Sequence, residues 1–126
     1  MATRSMICVE LPDNELVAAY VHYDGHPSTM LPRLERLAGT TVEAFDLIEP
    51  GDMSSVESDH DWNMKRRVPQ PLYYKDRGED AHAISFDSIT DYVSYTKDTD
   101  CEYAYLFINN SWTYQKVSEL NDDSFV

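Results

Sequence analysis

The chain has 126 residues, 42% of them apolar, and a formal net charge of −13 from 23 Asp and Glu against 10 Lys and Arg. Nine Tyr, four Phe and two Trp are more packing material than an acidic disordered tail carries, so one domain with its own core is expected over 1–126. Such a surface repels nucleic acid and anionic lipid and attracts basic protein surfaces, and no apolar run approaches the roughly 18 residues of a membrane span.

The first residues, Met1-Ala2-Thr3-Arg4-Ser5-Met6, lack the long apolar segment of a secretory leader. Arg4 to Leu11 reads as a strand, with Cys8 inside it. Pro12-Asp13-Asn14-Glu15 is turn chemistry, and the apolar, aromatic run Leu16 to Tyr23 completes an expected hairpin. Asp24-Gly25-His26-Pro27 breaks the pattern. Ser28 or Thr29 then caps a helix with Pro32 in its first turn. Met30, Leu34, Leu37 and Ala38 share one face of that helix, and Gly39 stops it. Thr41 is expected to cap a shorter helix with Val42, Phe45 and Ile48 facing inward, ended by Pro50-Gly51.

Residues 52–71 read as a long polar loop, or one hiding a short strand near Met53. Leu72 to Lys75 reads as a strand leading into a turn over Asp76-Arg77-Gly78-Glu79-Asp80. Ser88-Ile89-Thr90-Asp91 fits a capping box, with Ile89, Tyr92 and Val93 as the buried stripe. Tyr103 to Ile108 and Trp112 to Val117 flank Asn109-Asn110-Ser111 as a second hairpin. The expected fold is α+β: an antiparallel sheet built from the N- and C-terminal hairpins, with three helices packed on one face.

Three motifs resemble those of a family of small bacteriophage proteins: His22-Tyr23-Asp24-Gly25-His26-Pro27, Tyr74-Lys75-Asp76-Arg77-Gly78-Glu79, and Glu102-Tyr103-Ala104-Tyr105-Leu106-Phe107 followed by Trp112. The similarity spans most of the chain. Members of that family carry His-Trp-Asp-Gly-Tyr-Pro at the first motif and glycines before the first helix; this chain departs at Tyr23, at His26 and at Ser28-Thr29-Met30. The resemblance implies a phage gene expressed in a bacterial host, and so the host cytoplasm. The lone, well-separated Cys8 and Cys101 fit a reducing compartment of that kind.

Two sets of residues are candidate sites. Residues 41–64 carry Glu43, Asp46, Glu49, Asp52, Glu57, Asp59 and Asp61 and no Lys or Arg, which suits a host protein with a basic surface, the carboxylates standing where phosphates would. This points to an acidic antagonist of a host factor. The alternative is a sponge for a nucleotide signal: Lys75 and Arg77 beside Gly78 hold an anion, Trp112 or a tyrosine stacks on the base, and His22, Tyr23, Asp24 and His26 shape the loop. A metal-dependent hydrolase built on His22, Asp24 and His26 is the third reading, because alternating residues of an extended strand share one face.

No nucleophile elbow, phosphate-binding loop or dinucleotide fingerprint is present. No catalytic residue, metal or cofactor is therefore expected, nor direct nucleic-acid or membrane binding. Gly25 and Pro27 turn the chain and spoil the alignment of the two histidines. Purified protein should accordingly carry no stoichiometric zinc, and chelator should leave its melting temperature unchanged; one zinc per chain by elemental analysis would promote the three residues to ligands.

Overall fold

Met6, Ile7, Cys8 and Val9 are all exposed by 2% or less. Side chains alternate between the two faces of a strand, so the strand they form, β1 (Ser5–Glu10), is covered on both sides. The computed structural model describes residues 2–121 and 123–125, and its other strands are arranged around β1. They are β2 (Leu16–Val21), β3 (Met53–His60), β4 (Arg66–Tyr73), β5 (Ile84–Phe86), β6 (Tyr103–Ile108) and β7 (Ser111–Lys116), with helices α1 (Pro27–Leu37), α2 (Thr41–Ile48) and α3 (Ile89–Lys97).

The strands form one seven-stranded sheet in the order β4-β3-β2-β1-β6-β7, with β5 paired to β2. It is mixed rather than antiparallel. β1 pairs antiparallel with β2 and β6 with β7, but β1 pairs parallel with β6, and β2 parallel with β3. Parallel neighbours need a crossover connection. The segment from β2 to β3 contains α1 and α2, and the segment from β5 to β6 contains α3.

The helices occupy both faces, not one. Met30, Leu34, Ala38, Ala44, Leu47 and Ile48 from α1, α2 and their junction pack with Ile7, Val9, Val17, Ala19, Tyr105 and Phe107. On the opposite face, Tyr92 and Val93 of α3 pack with Met6, Cys8, Leu16, Ala18, Ala104 and Leu106. Phe45 and Ile89 are half-buried against these two clusters.

Local chemistry explains where the elements begin. His26, not Ser28 or Thr29, caps α1: its ring nitrogen accepts the Ser28 N–H at 3.1 Å, and Pro27 takes the first helical position. The helix therefore starts earlier than expected and Pro32 falls inside it. Pro32 and Ser28 are both exposed, so the Ser28 carbonyl that loses its partner faces water. Thr40 rather than Thr41 caps α2, accepting the Glu43 N–H at 3.1 Å. That start turns Ala44, Leu47 and Ile48 inward and leaves Val42 69% exposed. Ser88 caps α3 as its sequence indicates, accepting the Asp91 N–H at 3.1 Å.

Residues 52–71 are not a loop. They hold β3 and most of β4, an antiparallel pair with three register shifts. Polar composition and Pro69 and Pro71 masked the pairing. Bulges and an edge position accommodate both prolines. The guanidinium of Arg67 also donates to the carbonyls of Gln70 and Pro71 at 3.0 Å. The bulged pair curls enough for Trp62, in its tip, to donate its indole N–H to the Tyr73 carbonyl at 2.8 Å. Leu72 and Tyr73 end β4, and Tyr74–Arg77 form a 3-10 turn where a strand to Lys75 was expected.

Leu34 and Val93 are fully buried on opposite faces. Leu34→Ala should lower stability by about 2–5 kcal/mol through lost transfer energy and the cavity left behind. Val93→Ala should cost less because fewer atoms leave. Val42→Ala should stay within about 0.5 kcal/mol. Thermal and denaturant melts of the three variants check the assignment of faces.

Candidate functional site

The acidic residues divide into two groups once the chain is folded. Glu43, Asp46 and Glu49 are exposed on or just after α2, and among the described residues none of them pairs with a cation. Glu43 also accepts the Thr40 hydroxyl at 3.2 Å, a side-chain contact beside the cap that Thr40 makes to the Glu43 N–H. Beside this ridge lies a groove of about 280 Å³ with Leu37, Leu47, Pro71 and Tyr73 along it and Glu43 and Asp46 on its rim. The Tyr73 hydroxyl donates to the Leu47 carbonyl at 2.7 Å. Burial first, then the charges of Asp76, Glu49 and Asp46, push its phenol far above the usual range. The groove is thus apolar along its floor and negative at its edge.

The other carboxylates, apart from Asp59, are engaged within the chain. Asp52 is half-buried, and its Oδ1 accepts the Tyr20 N–H at 2.9 Å. The position explains the need: one side of β2 pairs with β5 at Leu16 to Ala18 and with β3 only at Val21. Asp52 supplies the acceptor for Tyr20 in the gap. Gly51 holds it there; its φ is +110°, and a Cβ on it would lie 2.0 Å from the Ala81 carbonyl oxygen. Glu57 accepts two hydrogen bonds from Arg36, at 2.8 and 2.9 Å, with Arg33 3.8 Å away. The pairing with Arg36 holds its carboxyl below the usual range, and ties α1 to β3. Asp61 closes the tip of the β3–β4 pair by accepting the N–H groups of Asn63 and Lys65 at 2.8 and 3.0 Å. Asp59 is exposed.

The residues of the ligand reading do not all converge. His22 Nδ1 lies 2.6 Å from the Tyr20 hydroxyl, and the ring packs edge-on against Tyr23. Burial pushes the Tyr20 phenol up to about 12, so it remains protonated and able to donate. Asp24, at φ 61°, reaches Arg33 at 3.3 Å. His26 caps α1 and packs on Tyr103. Gly25 is the pivot of this motif: its N–H donates to the Thr3 carbonyl at 2.9 Å, and its carbonyl accepts the Tyr105 hydroxyl at 2.6 Å. A Cβ there would meet the Thr3 oxygen at 2.6 Å. The motif from His22 to Pro27 is therefore the joint between β2 and α1.

Arg77 stacks its guanidinium 4.4 Å from the Trp62 ring centroid and 5.3 Å from that of Tyr74, and pairs with Glu79 through Nε at 2.7 Å. Lys75 lies over Tyr73 at 5.9 Å. Trp112 cannot join them. It sits on β7 at the opposite edge of the sheet, 8% exposed, with its indole N–H on the Ala38 carbonyl at 2.8 Å. Tyr23 is 48% exposed, and Asp24 and His26 are exposed beside it. Trp62 was missed as Arg77's companion because its segment reads as a loop. The groove residues Leu37, Leu47 and Tyr73 carry no local signal of their shared position.

Among the described residues, no three His, Cys, Asp or Glu side chains are grouped to hold a metal ion. Burial raises both thiols, Cys8 well above its usual value, the opposite of an activated nucleophile. Among the described residues no helix is long and apolar enough to cross a membrane. No family model, curated protein or solved structure matches the chain.

Asp52 yields a test with a definite sign. Desolvation raises its carboxyl above the usual range, against the lowering effect of the Tyr20 hydrogen bond. Its stability contribution is therefore fullest below the ordinary aspartate pKa and is lost as pH rises through the raised folded value. Asp52→Asn keeps an oxygen acceptor without the charge, so its stability relative to the native chain should improve from pH 4 to pH 7. Asp52→Ala orphans a part-buried N–H and should cost about 1–3 kcal/mol at both. Melting temperatures across that range check the sign.

Proposed function

We propose that this chain is an acidic binding protein that docks the exposed side of α2 on a basic surface of another protein and blocks it. The observation that carries the reading is the set of Glu43 and Asp46 on α2 and Glu49 at its C-cap, without cation partners among the described residues. Of the other candidate carboxylates, Asp52, Glu57 and Asp61 have partners within the chain. A capped helix presents the three carboxylates rigidly, so little ordering entropy opposes docking. The net charge of −13 adds a long-range field that speeds encounter with a basic partner. The phage-like motifs suggest a bacterial host factor as that partner, with the carboxylates occupying the place of nucleic-acid phosphates. A nucleotide sponge has less support, because Arg77 is held by Glu79 and two rings and Trp112 lies across the sheet. The hydrolase reading has less support as well, because His22, Asp24 and His26 each make a separate internal contact.

Affinity capture from host lysate, followed by kinetics on the captured protein, tests the proposal. Association should slow steeply with salt, since the screening length falls from about 10 Å at 0.1 M to about 3 Å at 1 M. The triple variant Glu43→Gln, Asp46→Asn, Glu49→Gln should lose at least about tenfold in association rate, with dissociation changing far less. Arg77→Ala should leave binding intact. The reverse pattern, with Arg77 essential and the acidic ridge dispensable, would favour the sponge.

A further inference from the structure

The two long edges of the sheet are treated differently. β4 is sealed against further pairing. Pro69 and Pro71 remove two donors, three register shifts break its line, and Arg67 occupies the carbonyls of Gln70 and Pro71. These are the usual devices that keep an edge strand from pairing with another chain. β7 carries one such device, Lys116 at its end. Its pairing with β6 is regular through six consecutive positions, and Ser-Trp-Thr-Tyr-Gln-Lys contains no proline and no carboxylate.

The turn tells which of its backbone groups face outward. Asn109 and Asn110 both have positive φ, 55° and 61°, which makes a two-residue hairpin turn of the primed type. The closing pair of such a hairpin, Ile108 and Ser111, exchanges both hydrogen bonds, and bonded and unbonded pairs then alternate. Thr113 and Gln115 thus turn their N–H and C=O groups toward β6, as does Val117, whose N–H donates to the Glu102 carbonyl at 2.9 Å. Trp112, Tyr114 and Lys116 turn theirs away from the sheet. Among the described residues no backbone group answers them. Cavities of about 530 and 340 Å³ lie at the Lys116 end of the strand, and Tyr103 and Lys116 line both. The C-terminal Ser124 and Phe125 pack on the α3 face, against Gln115 and Tyr92.

We infer that β7 is a self-association edge: a second copy of this chain pairs its own β7 antiparallel to it, about a two-fold axis at Tyr114. The outward residues are symmetric about that position. Tyr114 meets its twin, and Trp112 meets Lys116 of the other copy, with six backbone hydrogen bonds joining the strands into one continuous sheet. Such an isologous arrangement satisfies both copies at once. The only charge on the strand, Lys116, falls opposite the other copy's Trp112 rather than opposite another lysine, so the register carries no like-charge contact. Opposing it is the net charge of −13 on each copy, which salt screens. Self-association should therefore tighten as salt rises, whereas docking of the acidic ridge on a basic partner weakens.

Sedimentation equilibrium of the full chain at 0.05 and 0.5 M NaCl tests this. The expected result is a species of twice the 14.5 kDa chain mass that is favoured at high salt. Tyr114 is 40% exposed, so Tyr114→Lys and Tyr114→Glu should each fold, with melting temperatures near the native one. Each places like charges face to face at the axis and should weaken association at least tenfold. Mixing the two should restore a heterodimer, because lysine then meets glutamate. A native chain that stays monomeric at 0.5 M salt would overturn the inference. So would a mixture that fails to associate, or variants that dimerise undiminished. A strand from a different protein would show as capture that Tyr114→Lys abolishes while the native chain alone remains monomeric, and this too would reject the second copy.

Discussion

The double burial of β1 is the constraint on which the architecture rests. Its outward and inward side chains are equally apolar, with Met6 and Cys8 on one face and Ile7 and Val9 on the other. A sheet centred on such a strand must be covered on both sides, because leaving either face wet would forfeit about 25 cal/mol for each Å² of apolar surface. α1 and α2 cover one face and α3 the other. The same demand explains β6, where Ala104, Tyr105, Leu106 and Phe107 are all buried, and its parallel pairing with β1 at the heart of the sheet. Sheets with parallel centres are commonly sandwiched between helices for this reason.

The polar groups of the core answer the same constraint. Tyr105 lies wholly inside, so its hydroxyl needs a partner, and the Gly25 carbonyl is brought to it by the turn after β2. Tyr92 on the other face does the same with the Tyr105 carbonyl at 2.9 Å. Asp52 meets the N–H of Tyr20 where the partners of β2 change. Each is a buried or half-buried donor that would otherwise go unpaired. Each also draws in a residue that sequence motifs alone mark as functional. Residues of the first motif and of the acidic run are largely consumed by structure, and the chemistry left over is at the surface of α2 and at the edge of β7.

These two surfaces place opposite demands on the solvent. Docking through carboxylates is an encounter in a long-range field, fastest at low salt. Pairing of two strands across an axis is short-ranged, and the like charge of the two copies opposes it. They lie on different elements, so each can be altered without touching the other. The ridge is on α2, while β7 lies at the far edge of the sheet and packs against the C-terminal end of α1 through Trp112.

Much of the element pattern was legible in the sequence, because it depends on neighbours a few residues apart. The capping Ser88 and the apolar periods of α1 and α3 are local rules, and they held; the turn expected over Asn109-Asn110-Ser111 is shorter by one residue, because Ser111 pairs with Ile108. The α+β class followed from them. The sidedness of the sheet was legible in principle as well: four consecutive apolar residues in β1 and again in β6 mark strands buried on both faces, whereas a half-wet strand alternates. What only the tertiary structure decided were contacts between distant segments. Parallel pairing of Ser5 to Val9 with Tyr103 to Phe107 joins residues almost a hundred positions apart. Asp52 meets Tyr20, Glu57 meets Arg36, and Trp112 meets Ala38. A carboxylate or an indole has the same letter whether it faces water or satisfies a buried group, and which of the two it does depends on the residues that folding brings beside it.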